Sequence, residues 1–352
     1  MCVKMFTHVV FLLVFSAAHT LSAEFDEWAS LNNKNYASLT DSPLYKHRRA
    51  VFQDNLLKIQ DLQKLNPHAT FTIRVPSADL TDDEFRERFT GYVGSSSSVD
   101  TKPQIADAAQ VDFSKLTTKK IDWREHGAVD PTVFDQGECG CCWAISVTQT
   151  VGSQYFLKKN LSSVPSLSFQ QLICCDCNSE DSGCHGGDPH LAYEYIALAG
   201  GVESSEEYPF TDSGPDAQSC NLEGKCNKCK FDKQKVVATI TGYQNVTQAD
   251  PVSGNPGNET RLAEALAAEG PISVCIDSDP WRFYSGGILS YGARKLNHCV
   301  QLVGMDAGYS TPYWTLKNSW GATWGEKGYI RMQMGMDICG VADVATVPTV
   351  GM

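Results

Sequence analysis

Cysteines are concentrated in one part of this chain and absent from another. Thirteen of them follow residue 138, whereas residues 3 to 138 contain none. Near the start of the sequence, Lys4 is followed by an apolar run from Val9 to Ala18 and then by small residues up to Ala23. About ten apolar residues are too few to span a bilayer, so residues 1 to 23 are predicted to be a secretory signal. A cysteine-rich chain on that route is expected to form disulfides, and an odd number leaves at least one thiol unpaired within the chain.

Charge and short motifs indicate which binding partners and which cellular route are compatible with this chain. The 41 acidic side chains outnumber the 29 basic ones, and no basic stripe is present. Phosphate backbones and anionic lipid would repel such a chain, so neither a nucleic-acid nor a membrane partner is predicted. No later stretch is long and apolar enough to span a membrane. Acceptor triplets for N-glycosylation begin at Asn160, Asn245 and Asn258, which fits the secretory route. A monomer is the default expectation.

Two segments follow the signal, and only the second contains cysteine. Residues 24 to 116 include a run rich in Gly, Ser and polar residues from 91 to 109, which is typical of a linker. One helical stripe earlier in this segment combines apolar and polar side chains. Its members are Leu44, Arg48, Phe52, Asn55, Ile59 and Gln63. The arginine and the asparagine are expected to have specific intramolecular partners, because unpaired polar groups are costly to bury. Further along, Thr81 is predicted to cap another helix.

Helical patterns precede strand patterns in the second segment. Helices are predicted from Cys142 to about Leu157, after Ser168, from Pro189 to Ala199 and from Thr260 to Glu269. Strands are predicted over Ile272–Ile276, Cys299–Met305, Tyr313–Lys317 and Tyr329–Met334. This segregation predicts an α+β fold with a helical lobe, a sheet or barrel lobe, and a cleft between them.

One cysteine stands where a nucleophile is expected. Cys142 begins a predicted helix after a glycine-punctuated turn, and the positive end of the helix dipole favours its thiolate. A thiolate nucleophile also needs a base, and the base needs a partner that fixes its orientation. His298 and Asn318 can supply these two parts. Gln136 can donate a side-chain N–H to an oxyanion, together with the Cys142 backbone N–H.

These residues lie in motifs that together resemble the papain family of cysteine proteases, and most closely its cathepsin L-like members. The motifs are Gln136-Gly137-x-Cys139-Gly140-x-Cys142-Trp143, Gly183-Cys184-x-Gly186-Gly187, the His298 segment, Asn318-Ser319-Trp320-Gly321 and Trp324-Gly325-Glu326-x-Gly328-Tyr329. Residues 24 to 116 resemble the family's inhibitory propeptide. Its helical motif is matched at Arg48, Phe52, Asn55 and Ile59 but missed at Leu44 and Gln63.

The resemblance implies a papain-like fold of two lobes, one helical and one β-barrel-like, with the active-site cleft between them. A helical propeptide precedes it, so the domains are a signal at 1–23, a propeptide at 24–116 and a peptidase at 117–352. The implied activity is that of a cysteine endopeptidase without cofactor or metal, which acts on protein and peptide substrates and is inhibited by its own propeptide. Acidification is expected to trigger propeptide removal. The implied location is a lysosome, a lysosome-like vacuole or the extracellular space.

The resemblance also implies which residues bind substrate. Gly186 and Gly187 would pair with the substrate backbone, and Trp320 would cover the hydrogen bond between His298 and Asn318. The pocket for the second residue before the cut bond would be lined by Pro189, Cys275, Leu296, Cys299 and Val344. This lining is apolar, so Leu, Phe or Val is expected there and Arg is disfavoured. Apolar packing of Cys275 and Cys299 is preferred over a disulfide across the pocket.

For the other cysteines, the resemblance implies disulfides from Cys139 to Cys184 and from Cys175 to Cys220. Cys339 is expected to be free, because Ala293 occupies the place of its family partner. The C-x-x-C pairs at Cys174 and Cys177 and at Cys226 and Cys229 are typical of zinc sites in cytosolic proteins. Secretion favours disulfides between these segments instead, with the individual pairings left open.

The same residues are also compatible with other classes of function. Cys139 and Cys142 form a C-x-x-C that could serve a thiol oxidoreductase, but the expected βαβ context is missing. A catalytically silent binding homologue would lack the cysteine, histidine or asparagine, and all three are present. A vicinal disulfide between Cys141 and Cys142 would silence the nucleophile, although its geometry is strained. The implied protease hydrolyses peptide bonds through a thioester acyl-enzyme, and a ligase that uses the same thioester stays an open alternative.

Overall fold

The computed structural model describes residues 23–36, 42–94, 113–176, 180–211 and 229–351. The predicted signal up to residue 22 lies outside this part of the chain. No helix among the described residues is long and apolar enough to cross a bilayer. Among the described residues, large hydrophobic cores lie in the segment that resembles a propeptide, called the propeptide below, in a helical lobe and in a sheet lobe.

The propeptide packs around aromatic side chains. Helix α1 covers residues 23–31, and α2 (Pro43–Leu65), β1 (Ala69–Phe71) and α3 (Asp82–Phe89) follow. Phe25 lies at the centre of the cluster, with Trp28, Tyr45 and Phe52 each within 5.7 Å between ring centroids. Aromatic rings of this size bury enough apolar surface to hold a small helical unit together.

Polar side chains fix the propeptide helices relative to one another. The buried Asn55 amide donates to the carbonyls of Ala78 and Leu80 at 2.8 and 3.0 Å, which gives this residue the specific partner predicted from its position in the stripe. Arg48 donates to Glu84 at 2.7 Å. Thr81 caps α3 in a capping box with Glu84, in which the side chain of each residue accepts a hydrogen bond from the backbone N–H of the other.

The helical lobe is built on a buried central helix. Its helices are α4 (Cys142–Lys159), α5 (Phe169–Cys175) and α6 (Pro189–Ala199), with a small ribbon of β3 (Val202–Glu203) and β4 (Val236–Ala238). The first thirteen residues of α4 are all buried, which explains why it lacks an amphipathic pattern. The bounds of α6 agree with the sequence prediction.

The second lobe is dominated by a nine-stranded sheet. Its strands are β5 (Gly242–Gln248), β6 (Ile272–Ile276), β7 (Tyr284–Leu289), β8 (His298–Asp306), β9 (Tyr313–Lys317), β10 (Tyr329–Gln333) and β11 (Val344–Thr349), with β2 (Lys120–Asp122) paired to β8. Helix α7 (Glu259–Glu269) belongs to the same lobe. The propeptide strand β1 pairs antiparallel with β7, so it extends the sheet of the peptidase. The fold is α+β, as predicted.

Buried polar contacts join the two lobes behind the cleft. Ser146 on α4 donates to the carbonyl of Val300 at 2.8 Å and lies 2.6 Å from the hydroxyl of Ser273. Two turns further along α4, Ser153 accepts a hydrogen bond from Gln301 at 2.9 Å. These bonds fix α4 against β8, so the first residue of α4 has a defined position relative to the first residue of β8.

Candidate active site

Cys142 is the first residue of α4 and is fully buried. The turn before it is held by the Cys139–Cys184 disulfide, the pairing that the resemblance implied, and by a 2.8 Å bond from the Gly140 N–H to the Cys184 carbonyl. Burial raises the pKa of the Cys142 thiol to about 12, against smaller opposing effects of nearby backbone amides. The structure therefore places the sulfur at a helix start and keeps it protonated.

His298 and Asn318 form the second part of the site. The His298 Nε2 and the Asn318 Oδ1 are 2.8 Å apart, and that oxygen also accepts the Ser319 N–H at 2.8 Å. Because an amide oxygen only accepts, Nε2 carries the hydrogen and Nδ1 is left as the basic nitrogen. Burial lowers the pKa of His298 to about 4. The imidazole is therefore neutral, and its Nδ1 makes no hydrogen bond within the described part of the chain.

Trp320 lies over this pair. Its ring centroid is 4.8 Å from that of His298, with the planes tilted by 33°. Such a cover keeps water away from the bond between His298 and Asn318, and a hydrogen bond shielded in this way is stronger. The position agrees with the role that the resemblance implied for Trp320.

Gln136 is oriented by a residue that the sequence analysis did not single out. The Ser319 hydroxyl donates to Gln136 Oε1 at 2.6 Å, which leaves the amide nitrogen free to donate elsewhere. That nitrogen donates to the Cys139 carbonyl at 2.8 Å and to the carbonyl of Phe89 at 3.3 Å. The motif around Asn318 contained Ser319, but only the fold reveals that its side chain reaches Gln136.

The propeptide passes directly through the cleft. The carbonyl of Phe89 also accepts the Trp320 indole N–H at 3.0 Å, and the N–H of Gly187 donates to the Gly91 carbonyl at 2.9 Å. A Cβ at Gly91 would lie 2.0 Å from the Gly140 carbonyl oxygen, so only glycine permits this approach. The Val93 N–H donates to the Gly187 carbonyl at 3.2 Å. The backbone of Gly187 is therefore already paired with a peptide segment.

Four of the five residues predicted to line the apolar pocket pack together, and a propeptide side chain packs against them. Cys275, Cys299 and Val344 form one buried cluster, against which Leu296 and Tyr92 of the propeptide pack. The fifth predicted member, Pro189, is buried at the start of α6. One prediction here was wrong: Cys275 and Cys299 form a disulfide and not a packed pair of thiols. They are directly opposed on β6 and β8, a pairing that the sequence could not reveal.

A second correction concerns the helical lobe. Cys175 pairs with Cys229, not with Cys220 as the resemblance implied. Cys174 is also disulfide-bonded, which supports the preference for disulfides over zinc in these segments. Cys177, Cys220 and Cys226 lie outside the described residues. Within the described ranges, no group of three or more metal-ligating side chains is positioned to hold an ion.

Among the described cysteines, Cys142 and Cys339 are free thiols. Cys339 was expected to be free because Ala293 replaces its family partner, and the structure agrees. No vicinal disulfide joins Cys141 to Cys142, so the thiol at the helix start is available for chemistry once it is exposed.

Ionic and aromatic contacts dock the propeptide beside the cleft. Arg86 on α3 makes a two-pronged contact with Asp279, whose nearer oxygen is 2.5 Å away. On the other side, Arg282 donates to the carbonyls of Ser77 and Leu80, and the neighbouring Phe283 belongs to the aromatic core of the propeptide. No sequence pattern had pointed to these peptidase residues, because their role depends on a surface that only the fold assembles.

Comparisons with known proteins agree with this geometry. Residues 117–349 match the papain family cysteine protease domain, and residues 25–85 match the cathepsin propeptide inhibitor domain (I29). Digestive cysteine proteinase 2 of Homarus americanus is 32% identical over 351 residues, which cover 96% of this chain and 99% of that protein. Probable cysteine protease RD19B of Arabidopsis thaliana is 36% identical over 324 residues, which cover 88% of this chain and 81% of that protein.

Solved structures show the same arrangement of propeptide and peptidase. Digestive procathepsin L 3 of the Tenebrio molitor larval midgut superposes with a TM-score of 0.70 at 30% identity, covering 94% of this chain and 99% of that one. The recombinant stem bromelain precursor gives a TM-score of 0.71 at 30% identity, covering 95% and 100%. The chain therefore belongs to the papain family of cysteine proteases, as a peptide hydrolase of the cathepsin L-like type that carries its own propeptide inhibitor domain.

Proposed function

We propose that the protein is a secretory zymogen of a cysteine endopeptidase, with Cys142 as nucleophile, His298 as base and acid, and Asn318 as the residue that orients His298. The observation that carries the proposal is the propeptide carbonyl of Phe89, which lies at the Gln136 amide nitrogen beside the buried thiol. A carbonyl held at that donor is in the place that a developing oxyanion requires.

The chemistry follows from the positions of these groups. The thiolate of Cys142 attacks a peptide carbonyl carbon and forms a C–S bond, while the Gln136 amide and the Cys142 backbone N–H hold the oxyanion. Protonated His298 then gives its proton to the leaving amine as the C–N bond breaks. In the second half, His298 takes a proton from water, which hydrolyses the thioester and restores the thiolate.

The direction of the propeptide strand explains why it inhibits and is not cut. Tyr92 packs against the residues assigned to the pocket for the second residue before the cut bond, yet it follows Phe89 in the chain. A substrate residue in that pocket would precede the reacting carbonyl. The propeptide therefore crosses the cleft in the opposite direction, and its carbonyls are not presented to Cys142 as a substrate's would be.

Removal of the propeptide is required for activity, and we place the cut between about Leu116 and Ile121. Ile121 lies in β2, which pairs with β8 and belongs to the sheet of the peptidase. We propose acidification as the trigger, because protonated carboxylates no longer pair with the arginines that dock the propeptide. This scheme corresponds to the division into a signal at 1–23, a propeptide at 24–116 and a peptidase at 117–352.

The proposed route passes through the secretory pathway to a lysosome, a lysosome-like vacuole or the extracellular space. The predicted glycan acceptors Asn160, Asn245 and Asn258 are all exposed, as attachment requires. The described disulfides fit an oxidising compartment. The proposed working form is a monomer. We propose that the enzyme cuts peptide chains at internal bonds. In support, α6 and β3 follow Gly187 without an inserted loop that would close one end of the cleft.

A single set of reactions on purified proform tests this function. The protein is held at pH 4.5 and at pH 7.5 with a mild reductant, and its mass and its cleavage of a Leu-Arg fluorogenic peptide are followed over time. We expect loss of the propeptide and the appearance of activity at pH 4.5, with Cys142→Ala inert and unprocessed. Equal processing at both pH values would reject the acid trigger. Full activity of Cys142→Ala would reject the nucleophile.

A further inference from the structure

The Cys275–Cys299 disulfide forms a wall of the apolar pocket. The two residues are register partners on the neighbouring antiparallel strands β6 and β8, with their Cα atoms 4.0 Å apart. Val344 is the register partner of Cys275 on β11. In the proform, Tyr92 packs against this cluster, and each cysteine is only 1% exposed. Removal of the propeptide takes Tyr92 away and opens the disulfide to the cleft.

The disulfide also lies next to the groups that are proposed to react. Cys299 directly follows His298 in β8, so the two share a strand backbone. Its backbone amide faces the thiol of Cys142. A displacement of Cys299 is therefore expected to alter the shape of the pocket directly and the surroundings of the Cys142 sulfur to a smaller extent.

We propose that this disulfide determines which side chains the pocket accepts, and that its reduction by a small thiol narrows the pocket. The inference rests on the proposed function and concerns substrate choice within it. The reaction is a thiol–disulfide exchange: one thiolate attacks a sulfur of the bridge, and a second thiol resolves the mixed disulfide. Two thiol molecules become one disulfide and supply the two electrons and two protons that the Cys275 and Cys299 thiols retain.

The pocket is expected to narrow because two separate thiols occupy more space than one disulfide. Bonded sulfurs lie closer together than unbonded ones can, so the two groups must separate once the bridge is broken. The strand ladder fixes both backbones, and Val344 occupies the neighbouring position on the same face. The free direction is the side where Tyr92 packs in the proform. The bridged enzyme therefore accepts aromatic side chains of that size, and the reduced enzyme favours smaller ones such as Val.

Two substrates measure this effect. They are fluorogenic peptides that differ only in having Phe or Val as the second residue before the cut bond, with Arg next to the bond. Mature enzyme is reduced to graded extents with dithiothreitol, and the state of the Cys275–Cys299 bridge is read in parallel samples by alkylation and mass spectrometry. As the bridge opens, the ratio of kcat/KM for Phe over Val is expected to fall about tenfold.

Variants separate the bridge from other effects of the reductant. Cys275→Ala combined with Cys299→Ala removes both sulfurs, so its ratio should not respond to dithiothreitol. If that variant fails to fold, Cys275→Val with Cys299→Ala restores lost volume and serves the same comparison. Cys339→Ala, a buried free cysteine outside the pocket, should respond as the wild type does.

The outcomes distinguish this inference from the function on which it rests. A wild-type ratio that stays constant while the bridge is reduced overturns the inference, as does a bridge that resists reduction in folded enzyme. The same fall in the bridge-free variant would also overturn it. Failure to cleave either peptide in any redox state would instead overturn the proposed function.

Discussion

The side-chain amide of Gln136 donates a hydrogen bond to the backbone carbonyl of Phe89, with 3.3 Å between nitrogen and oxygen. Gln136 belongs to the peptidase and Phe89 to the propeptide, so this contact joins the inhibitor to the group proposed to stabilise the oxyanion. The proform thus occupies the donor that catalysis needs. In the proposed mechanism, inhibition and catalysis therefore involve the same side chain.

Substitution of Gln136 by Ala should remove one of the two oxyanion donors. We expect kcat of the mature enzyme to fall about 10²- to 10³-fold, with KM nearly unchanged, because the interaction strengthens only as charge develops on the oxygen. Steady-state kinetics on the Leu-Arg peptide measure this loss. Labelling of Cys142 by an epoxysuccinyl inhibitor serves as the control for an intact thiol. A rise in KM without a fall in kcat would contradict the assigned role.

The reactivity of Cys142 should report the presence of the propeptide. Burial raises the pKa of this thiol to about 12 and lowers that of His298 to about 4, so both groups are neutral in the proform at pH 7. In the mature enzyme, exposure lets an imidazolium stabilise the thiolate. Iodoacetamide at pH 7 should therefore modify Cys142 at least about a hundredfold faster after propeptide removal. Equal rates in the two forms would show that burial does not suppress the thiolate.

The lowered pKa of His298 also gives the sign of the pH dependence. A base with a depressed pKa binds its proton less well in the closed form, so closure is stabilised at high pH and weakened as pH falls. The window runs from the ordinary value near 6.5 down to about 4. In an NMR titration of the Cys142→Ala proform, the His298 ring should stay neutral at pH 5.5. Protonation of the proform ring at or above pH 6.5 would contradict this assignment.

The ion pair between Arg86 and Asp279 should help to set the pH of activation. Asp279→Asn removes the negative charge that Arg86 contacts, so the ion pair is already lost at neutral pH. We expect the pH midpoint of propeptide removal to rise by about one unit. Asp61→Asn is the matched control, since it removes an exposed pair with Lys64 inside the propeptide and should leave the midpoint in place. An unchanged midpoint in Asp279→Asn would exclude this pair as part of the trigger.

Asn55 should contribute strongly to propeptide stability. Its replacement by Ala leaves two buried carbonyls, those of Ala78 and Leu80, without their donor, at a cost of about 2–4 kcal/mol. Urea unfolding of the Cys142→Ala proform, followed by tryptophan fluorescence, should show an earlier propeptide transition. The exposed substitution Lys64→Ala should leave it unchanged. A propeptide as stable as the wild type would mean that these carbonyls find other partners.

The apolar pocket should govern substrate choice. Its lining carries no acid, so a peptide library cut by the mature enzyme should show Leu, Phe or Val at the second residue before the bond. The Val344→Glu variant places a carboxylate beside Cys275 and should shift the preference toward Arg. A wild-type profile dominated by Arg would exclude the pocket assignment.

Local sequence patterns predicted much of the fold, but they did not predict every strand. Strand β6 and helix α6 were predicted with their observed bounds, because each has a strong pattern and clear ends. β7 contains two consecutive glycines and β11 contains a proline, so neither resembles a strand in isolation. Their pairing with other strands outweighs these weak propensities, and pairing is a property of the whole sheet.

The same limit applies to the candidate site. Cys142, His298, Asn318 and Gln136 were identified from chemistry and resemblance, and the structure places His298 2.8 Å from Asn318 and joins Gln136 to Ser319, the residue after Asn318. Disulfide connectivity was harder, because the sequence gives spacing and not distance: Cys275 and Cys299 are opposed only through their register on two strands. Cys175 likewise pairs with Cys229 across a long separation along the chain.

One measurement tests the central claim most directly, namely that Cys142 is the nucleophile and that the propeptide conceals it. Proform and acid-activated enzyme are treated with an epoxysuccinyl peptide, and the adduct is mapped by mass spectrometry. The account predicts one adduct, on Cys142, in the activated enzyme and essentially none in the proform. An adduct on Cys141 or Cys339, or equal labelling of Cys142 in both forms, would contradict it.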